Sequence, residues 1–387
     1  MSARVLYLLA NAEPGGAERV TLMMMRHHSG RYRPQAMFLN DGSLIGEVRR
    51  MGLPASILGR RLRLRRPLEV LAAIRECRRR IARDGIDLLH ACMPYAHIVG
   101  SPAAGRAIPR VLFQHGPVGG PIDRAASLLS ASLVLANSRH TLERHRRIAL
   151  RRWPDDVVPC ATELRLSEER RRGLAAEMNA RLGLTEETIV LGAIGRFDPW
   201  KGIHVALSAA LPILRERADV RFLVVGDQYR RFHPEYARTL REFSRAEGAG
   251  GRILFAGFQD DVLPYLARMD IVVHSATAPE PFGLVVIEAM AAGCAVIASA
   301  AGGPLEIVTE GVDGLLHPPG DESALRTAMR RLIDDASLRR SLGDQGRRTV
   351  AARYSPPAMV ERLEAHYDRL LAARRGVAAR AGAPSAR

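Results

Sequence analysis

Ile189-Val190-Leu191-Gly192-Ala193-Ile194-Gly195-Arg196-Phe197-Asp198-Pro199-Trp200-Lys201-Gly202 is an aliphatic run, a glycine, a proline-containing turn and then the start of a helix pattern. A strand that feeds a helix through a tight turn is the unit of a parallel sheet with helices on its faces. The pattern recurs outward from this stretch. Downstream, strands are predicted over 221–225, 253–255, 271–274 and 295–298, each followed by a helix pattern. Upstream, strands are predicted over 5–10, 35–39, 86–90, 111–114 and 133–136, with helices over 17–28, 67–83 and 138–148 between them. The expected fold is α/β, with two doubly wound Rossmann-like domains facing across a cleft. Ligands of such sheets bind at the carboxyl ends of the strands. The predicted boundaries are an N-terminal domain over 1–160, a linker over 161–186 and a C-terminal domain over 187–355. A C-terminal helix over 356–373 and a disordered tail over 374–387 follow.

The chain has 387 residues, 47% hydrophobic and 25% charged, which suits two globular domains rather than one small core. Four dispersed cysteines, Cys77, Cys92, Cys160 and Cys294, form neither a zinc motif nor a disulfide framework, and they fit a reducing compartment. No apolar run is long and uncharged enough to span a bilayer, because the longest, over 283–301, carries Glu288. The start of the chain does not read as a signal peptide. A cytoplasmic location is expected, with peripheral attachment to the inner membrane face as an addition.

The formal charge is +16, and its distribution is uneven. Residues 1–156 hold 26 basic and 12 acidic side chains, and residues 157–387 hold 31 and 29. All the basic residues but Lys201 are arginine. A solitary lysine in an arginine-rich chain marks a place where a compact ammonium suits the chemistry better than a guanidinium fork. Arg196 and Lys201 both fall at the carboxyl end of the strand over 189–194. Two cations there, with a helix N-terminus beside them, complement a diphosphate, although an ordinary turn with surface cations has the same spacing.

Further on, Pro279-Glu280-Pro281-Phe282-Gly283-Leu284-Val285-Val286-Ile287-Glu288-Ala289-Met290 places two glutamates eight residues apart across a strand end and a helix start. Gly283 lets backbone approach a ligand, and the amides of Gly283 and Leu284 are free to bind an anion. A carboxylate beside a phosphate site reads sugar hydroxyls, since it accepts from O–H groups and repels the phosphate. Glu288 sits within an apolar run, where a buried carboxylate needs a partner.

The set GRFDPWKG, GDQ after a strand, GF before a short helix, EPFGLVVIEAMAAGCAVIAS, Ala301-Gly302-Gly303-Pro304 and DGLL resembles the C-terminal domain of glycosyltransferase family 4 over about residues 189–373. Pro14-Gly15-Gly16-Ala17-Glu18 resembles the glycine loop of its N-terminal domain, and Ala136-Asn137-Ser138 a late strand end there. The resemblance implies the GT-B fold and a retaining glycosyltransferase. Arg196 and Lys201 would hold the diphosphate of a UDP- or GDP-sugar and stabilise the leaving group. Glu288 would bind the ribose hydroxyls and Glu280 the donor sugar, with the backbone of Phe282, Gly283 and Leu284 beside sugar and phosphate. Gly16 would approach the same phosphates from the opposite domain, and His115, in Phe113-Gln114-His115-Gly116-Pro117, would reach the donor sugar near the reacting centre. No D-x-D pair is found, so no metal or other cofactor is expected and the cations would take the ion's place. Pro159-Cys160-Ala161-Thr162-Glu163 departs from the family's usual Pro-Asn-Gly-Val-Asp linker turn.

The arginine clusters over 60–66, 75–83 and 144–152 attract anions. The expected partners are a nucleotide sugar, a lipid-linked, polysaccharide or other glycan acceptor, and an anionic membrane surface. Nucleic acid is not expected, because aromatic residues are not interleaved with the arginines. Two other functional classes stay open at this point: a GT-B nucleotide-sugar epimerase or phosphorylase, and an arginine-rich nucleic-acid-binding protein.

Overall fold

A computed structural model gives the structure of residues 2–59, 62–106, 108–228, 233–245 and 250–381. The chain divides into two compact units, Met1–Ala161 with Pro356–Arg387, and Thr162–Ser355.

Unit 1 is built on a sheet of seven described strands: β1 (Ala3–Leu9), β2 (Tyr32–Phe38), β3 (Ala55–Ile57), β4 (Leu88–Cys92), β5 (Arg110–Gln114), β6 (Leu133–Ala136) and β7 (Asp155–Val157). All are parallel in the order β3-β2-β1-β4-β5-β6-β7. Residues Val5 to Leu9 of β1 and all of β4 are buried, as a sheet covered on both faces requires. The helices Pro67–Arg83, Met93–Ala104 and Pro121–Leu128 pack side by side, the middle one apolar and mostly buried. Arg78 Nη2 ties the first to the second through the Pro102 carbonyl at 2.7 Å.

The last helix, Pro356–Ala381, packs against the helix Gly16–His27. Met359, Val360, Leu363, Tyr367 and Leu371 form its buried stripe at helical spacing. A buried polar chain secures it. His90 Nδ1 and the Tyr367 hydroxyl lie 2.5 Å apart, the Tyr367 and Tyr7 hydroxyls 3.1 Å, and Tyr7 and His28 Nε2 2.6 Å. His28 Nδ1 is 2.9 Å from Glu364 Oε1, which also accepts the Ser29 amide. The helix therefore runs on through residues expected to be a tail. Alanine and arginine are good helix formers, and Arg374 is held by the Asp87 carbonyl at 3.0 Å. Residues 382–387 of that expected tail lie outside the described residues.

Unit 2 carries β8 (Ile189–Ile194), β9 (Val220–Val225), β10 (Ile253–Gly257), β11 (Ile271–His274), β12 (Ala295–Ser299) and β13 (Leu315–His317). They form a parallel sheet in the order β10-β9-β8-β11-β12-β13. Its core joins Leu191, Val224 and Ile297 of the strands to Leu207 and Ile213 of the helix Ile203–Glu216. Each such side chain contributes roughly 1.5–3 kcal/mol by leaving water. From Thr162 onward, the segment expected as a linker is part of this unit. Its helix, Glu168–Leu182, packs against the helix Leu263–Arg268, and the buried Arg268 donates to the Thr188 carbonyl at 2.6 Å. Among the described residues no helix is long and apolar enough to cross a membrane.

Candidate active site

In unit 2 the chain leaves β8 toward β9 on one side and leaves β11 toward β12 on the other, so the neighbours β8 and β11 form the topological switch point of the sheet. Loops diverge there and leave a crevice at the carboxyl ends. The β8 loop holds Arg196 and Lys201, and the β11 loop holds Glu280.

Backbone contacts bring the two loops together. The turn Pro199–Lys201 ends at Gly202, whose φ of +67° lies in the left-handed region. A Cβ there would stand 1.9 Å from the Ser275 carbonyl oxygen, so only glycine permits this approach. Ser275 Oγ donates to the Gly202 carbonyl at 2.8 Å, and the Thr277 amide donates to the Trp200 carbonyl at 2.8 Å. Lys201 Nζ consequently reaches Glu280 Oε1 at 2.5 Å and lies 4.3 Å from the centre of the Trp200 ring. Its ammonium has three donors, of which the Glu280 contact occupies one.

Glu280 is buried and held from several directions. Its Oε2 lies 2.8 Å from His274 Nε2, at the end of β11. Its backbone pairs with Gly302, and its carbonyl accepts the Gly303 amide at 2.8 Å. Gly302 has φ +73° and a Cβ there would meet the Glu280 carbonyl oxygen at 2.2 Å, which is why the Ala301-Gly302-Gly303 loop can lie flat on the glutamate. Burial works to raise the Glu280 carboxyl, but the Lys201 charge and the His274 hydrogen bond outweigh it and hold it down at about 2. It is a carboxylate at neutral pH.

Phe282 is buried, edge-on to Tyr354 with ring centres 5.9 Å apart. Gly283 caps the helix Leu284–Ala291 in a left-handed conformation, and the first amides of that helix stand outside its hydrogen-bond ladder. Glu288 lies on this helix half-buried, not sealed in the core as its apolar neighbours imply, because Val286, Ile287, Ala289 and Met290 take the inward faces. Arg196 is exposed, with Nη2 3.8 Å from Asp198. Arg196, Lys201, Glu280, Phe282, Gly283, Leu284 and Glu288 thus all belong to the loops and helix starts at the carboxyl ends of β8 and β11.

Gly16 and His115 belong to unit 1. Gly16 begins the helix after β1, with Gly15 at its cap. His115 follows β5, buried against Phe113 at a ring distance of 4.0 Å, with its carbonyl held by Asn137 Nδ2 at 2.8 Å. Its Nδ1 faces Cys160 Sγ at 4.0 Å, and its Nε2 finds no hydrogen-bond partner among the described residues. Burial pushes this imidazole down to about 3, so it is neutral at physiological pH.

Sequence reasoning did not single out His274, Ser299 or the stacking of Lys201 on Trp200. The available signal for His274 was a histidine closing the aliphatic run Ile271-Val272-Val273 six residues before Glu280. Among the described residues no group of three or more His, Cys, Asp or Glu side chains is arranged to hold a metal ion.

Two family models match the chain: Glycosyltransferase Family 4 over residues 14–166 and Glycosyl transferases group 1 over residues 176–349. The lipopolysaccharide core biosynthesis glycosyltransferase LpsE of Rhizobium meliloti is 30% identical over 182 residues, 47% of this chain and 50% of the relative. The lipopolysaccharide 1,2-N-acetylglucosaminetransferase of Salmonella typhimurium is 30% identical over 51% of this chain and 53% of its own. The chain spans about half the length of the curated relatives it matches. The solved structure of Anabaena Alr3699/HepE in complex with UDP-glucose is 25% identical, with a TM-score of 0.81 over 95% of this chain and 100% of that one. Two parallel-sheet Rossmann-like units of the GT-B type, two matching family models and the motifs at the β8 and β11 ends agree, and the chain belongs to glycosyltransferase family 4.

Proposed function

We propose that the protein transfers a sugar from a nucleotide-diphosphate sugar to a lipid-linked, polysaccharide or other glycan acceptor. A UDP-sugar comes first as donor, because the structural relative from Anabaena was solved with UDP-glucose. The observation that carries this reading is the convergence of Lys201 and Glu280 at the switch point of unit 2, a cation for phosphate beside a carboxylate for hydroxyls. Breaking the bond between the anomeric carbon and phosphate develops positive charge on the sugar ring and extra negative charge on the departing diphosphate. Fixed cations and amide donors aimed at that negative charge lower the barrier. In this reading Lys201, Arg196 and the amides at the start of the helix Leu284–Ala291 hold the diphosphate. Glu280 accepts from hydroxyls of the donor sugar, and Glu288 from those of the ribose. The contacts implied for Gly16 and His115, retention of configuration, and turnover without a divalent ion are parts of the same proposal.

The acceptor side carries a second element of this reading, attachment to an anionic membrane. The helix Pro67–Arg83 has five arginines against two glutamates, and Leu68 and Leu71 stand exposed at its start. Leu128 and Leu150 are likewise exposed, and the Leu150 amide and the Trp153 indole both donate to Ser127. Arg147, Arg151 and Arg152 are exposed in the same stretch of chain, and the Arg151 guanidinium lies over the Trp153 ring, 5.2 Å from its centre. Arginine around exposed leucine suits the headgroup region of an anionic leaflet, at roughly 1 kcal/mol per basic residue. Arg60 and Arg61 of the first arginine cluster lie outside the described residues.

The decisive experiment is a thermal-shift panel of UDP- and GDP-sugars followed by product analysis with glycan and lipid-linked acceptors. One donor should raise the unfolding midpoint by mass action. Lys201→Ala and Glu288→Ala should each remove that shift and the glycosylated product while keeping the fold. Wild-type shift and turnover in both variants would refute the site.

A further inference from the structure

The carboxylate of Glu280 has its two oxygens in different hands. Oε1 meets the Lys201 ammonium at 2.5 Å and Oε2 meets His274 Nε2 at 2.8 Å. The ring itself is oriented by the next strand, since the Ser299 backbone N–H points at His274 Nδ1 at 3.4 Å. An amide can only donate, so Nδ1 is the acceptor, the proton of the neutral ring sits on Nε2, and Nε2 donates to Glu280. The ring is buried, and Ser299 is anchored in turn by its hydroxyl, which donates to the Ala276 carbonyl at 2.7 Å. The main chain of β11 and β12 is in register beneath it, Val273 beside Ile297 and His274 beside Ala298. Two rigid strand ends thus determine where one hydrogen bond points.

We propose that His274 is a positioning residue for the donor sugar: it fixes the plane of the Glu280 carboxylate so that the lone pairs not used by Lys201 and His274 face the sugar hydroxyls. Without that bond, the carboxylate is free to turn about its last side-chain torsion and close on the ammonium with both oxygens. That would cost the sugar its acceptor and leave Lys201 less available to phosphate only in part. His274 itself touches neither sugar nor nucleotide. This inference rests on the reading of Glu280 as the sugar contact.

The test measures the affinity of the full chain for UDP and for UDP-glucose by titration calorimetry in three variants. His274→Asn keeps an acceptor near the place of Nδ1 for the Ser299 amide and withdraws the donor from Glu280. His274→Gln carries an amide nitrogen near the place of Nε2 and restores that donor. Glu280→Gln removes the carboxylate. Loss of a hydrogen bond to a charged group should weaken UDP-glucose binding roughly ten- to a hundredfold in His274→Asn. UDP binding should stay within about threefold, and His274→Gln should recover most of the loss. Equal losses for UDP and UDP-glucose, or unchanged UDP-glucose affinity in His274→Asn, would overturn the assignment. Unchanged UDP-glucose affinity in Glu280→Gln would overturn the underlying reading of Glu280 as well, which separates the two failures.

Discussion

Lys201 is the one lysine among 57 basic residues, and its surroundings give a reason for the choice. The ammonium sits 2.5 Å from a buried carboxylate oxygen and over the face of Trp200. A guanidinium is wider, planar and fork-shaped, and cannot occupy that point without displacing the ring or the carboxylate. Lys201→Arg should therefore lower turnover at least about tenfold despite the retained charge, a loss of about 1.4 kcal/mol or more in transition-state stabilisation, read by steady-state kinetics. Glu280 makes a second prediction at this scale. Its folded-state carboxyl lies near 2 against an ordinary 4.5, with burial opposing and Lys201 and His274 favouring ionisation. A depressed value stabilises the fold above the ordinary value and loses that contribution as pH falls toward 2, on the order of 3 kcal/mol in total. The unfolding midpoint of Glu280→Gln should accordingly change less than that of the wild type across this window. Lys201 and Glu280 were legible in the sequence, one by its rarity and one by its spacing from Glu288. His274 was not, because its role depends on a ring nitrogen meeting a carboxylate after a loop has folded back.

At the scale of elements, long apolar strands and amphipathic helices were legible and the shortest strands were not. The helix over 67–83 is found where its pattern and N-terminal proline place it, and β8, β11 and β6 match their predicted ranges. β3, β7 and β13 have three residues each and lie at sheet edges, too short to display a period of two. Asp155 and Asp156 make β7 strand-like only because β6 offers it a ladder. The turn before the helix Ile203–Glu216 is the element on which the site depends most. Gly202→Ala adds a methyl group 1.9 Å from the Ser275 carbonyl in a left-handed backbone, so the two loops must separate. We expect a stability loss of about 2 kcal/mol or more by denaturant unfolding, with nucleotide-sugar binding reduced because Lys201 moves with the turn.

For the whole molecule, the charge excess and the proposed donor site fall in different units. Arg147, Arg151 and Arg152 are exposed in unit 1, whereas the nucleotide determinants proposed above are in unit 2. Changing these three arginines to glutamate should abolish flotation with vesicles containing anionic lipid at low salt and leave the thermal shift by the donor intact. Wild-type flotation should fade as salt shortens the screening length to about 8 Å near physiological strength. Wild-type protein that ignores such vesicles at low salt would remove membrane attachment from the proposal and leave glycosyl transfer standing. The sequence by itself determined the α/β class, the family resemblance, the lone lysine, the paired glutamates and the one-sided charge. These are properties of residue type and spacing, which survive in a linear string. Only the tertiary structure decided that Lys201 and Glu280 share a contact, that His274 and Ser299 aim the carboxylate, and that residues 356–381 complete the first unit through Tyr7, His28 and His90. Those facts arise when strands adjacent in a sheet are distant in the chain, so that hydrogen-bond geometry between them has no counterpart in sequence spacing.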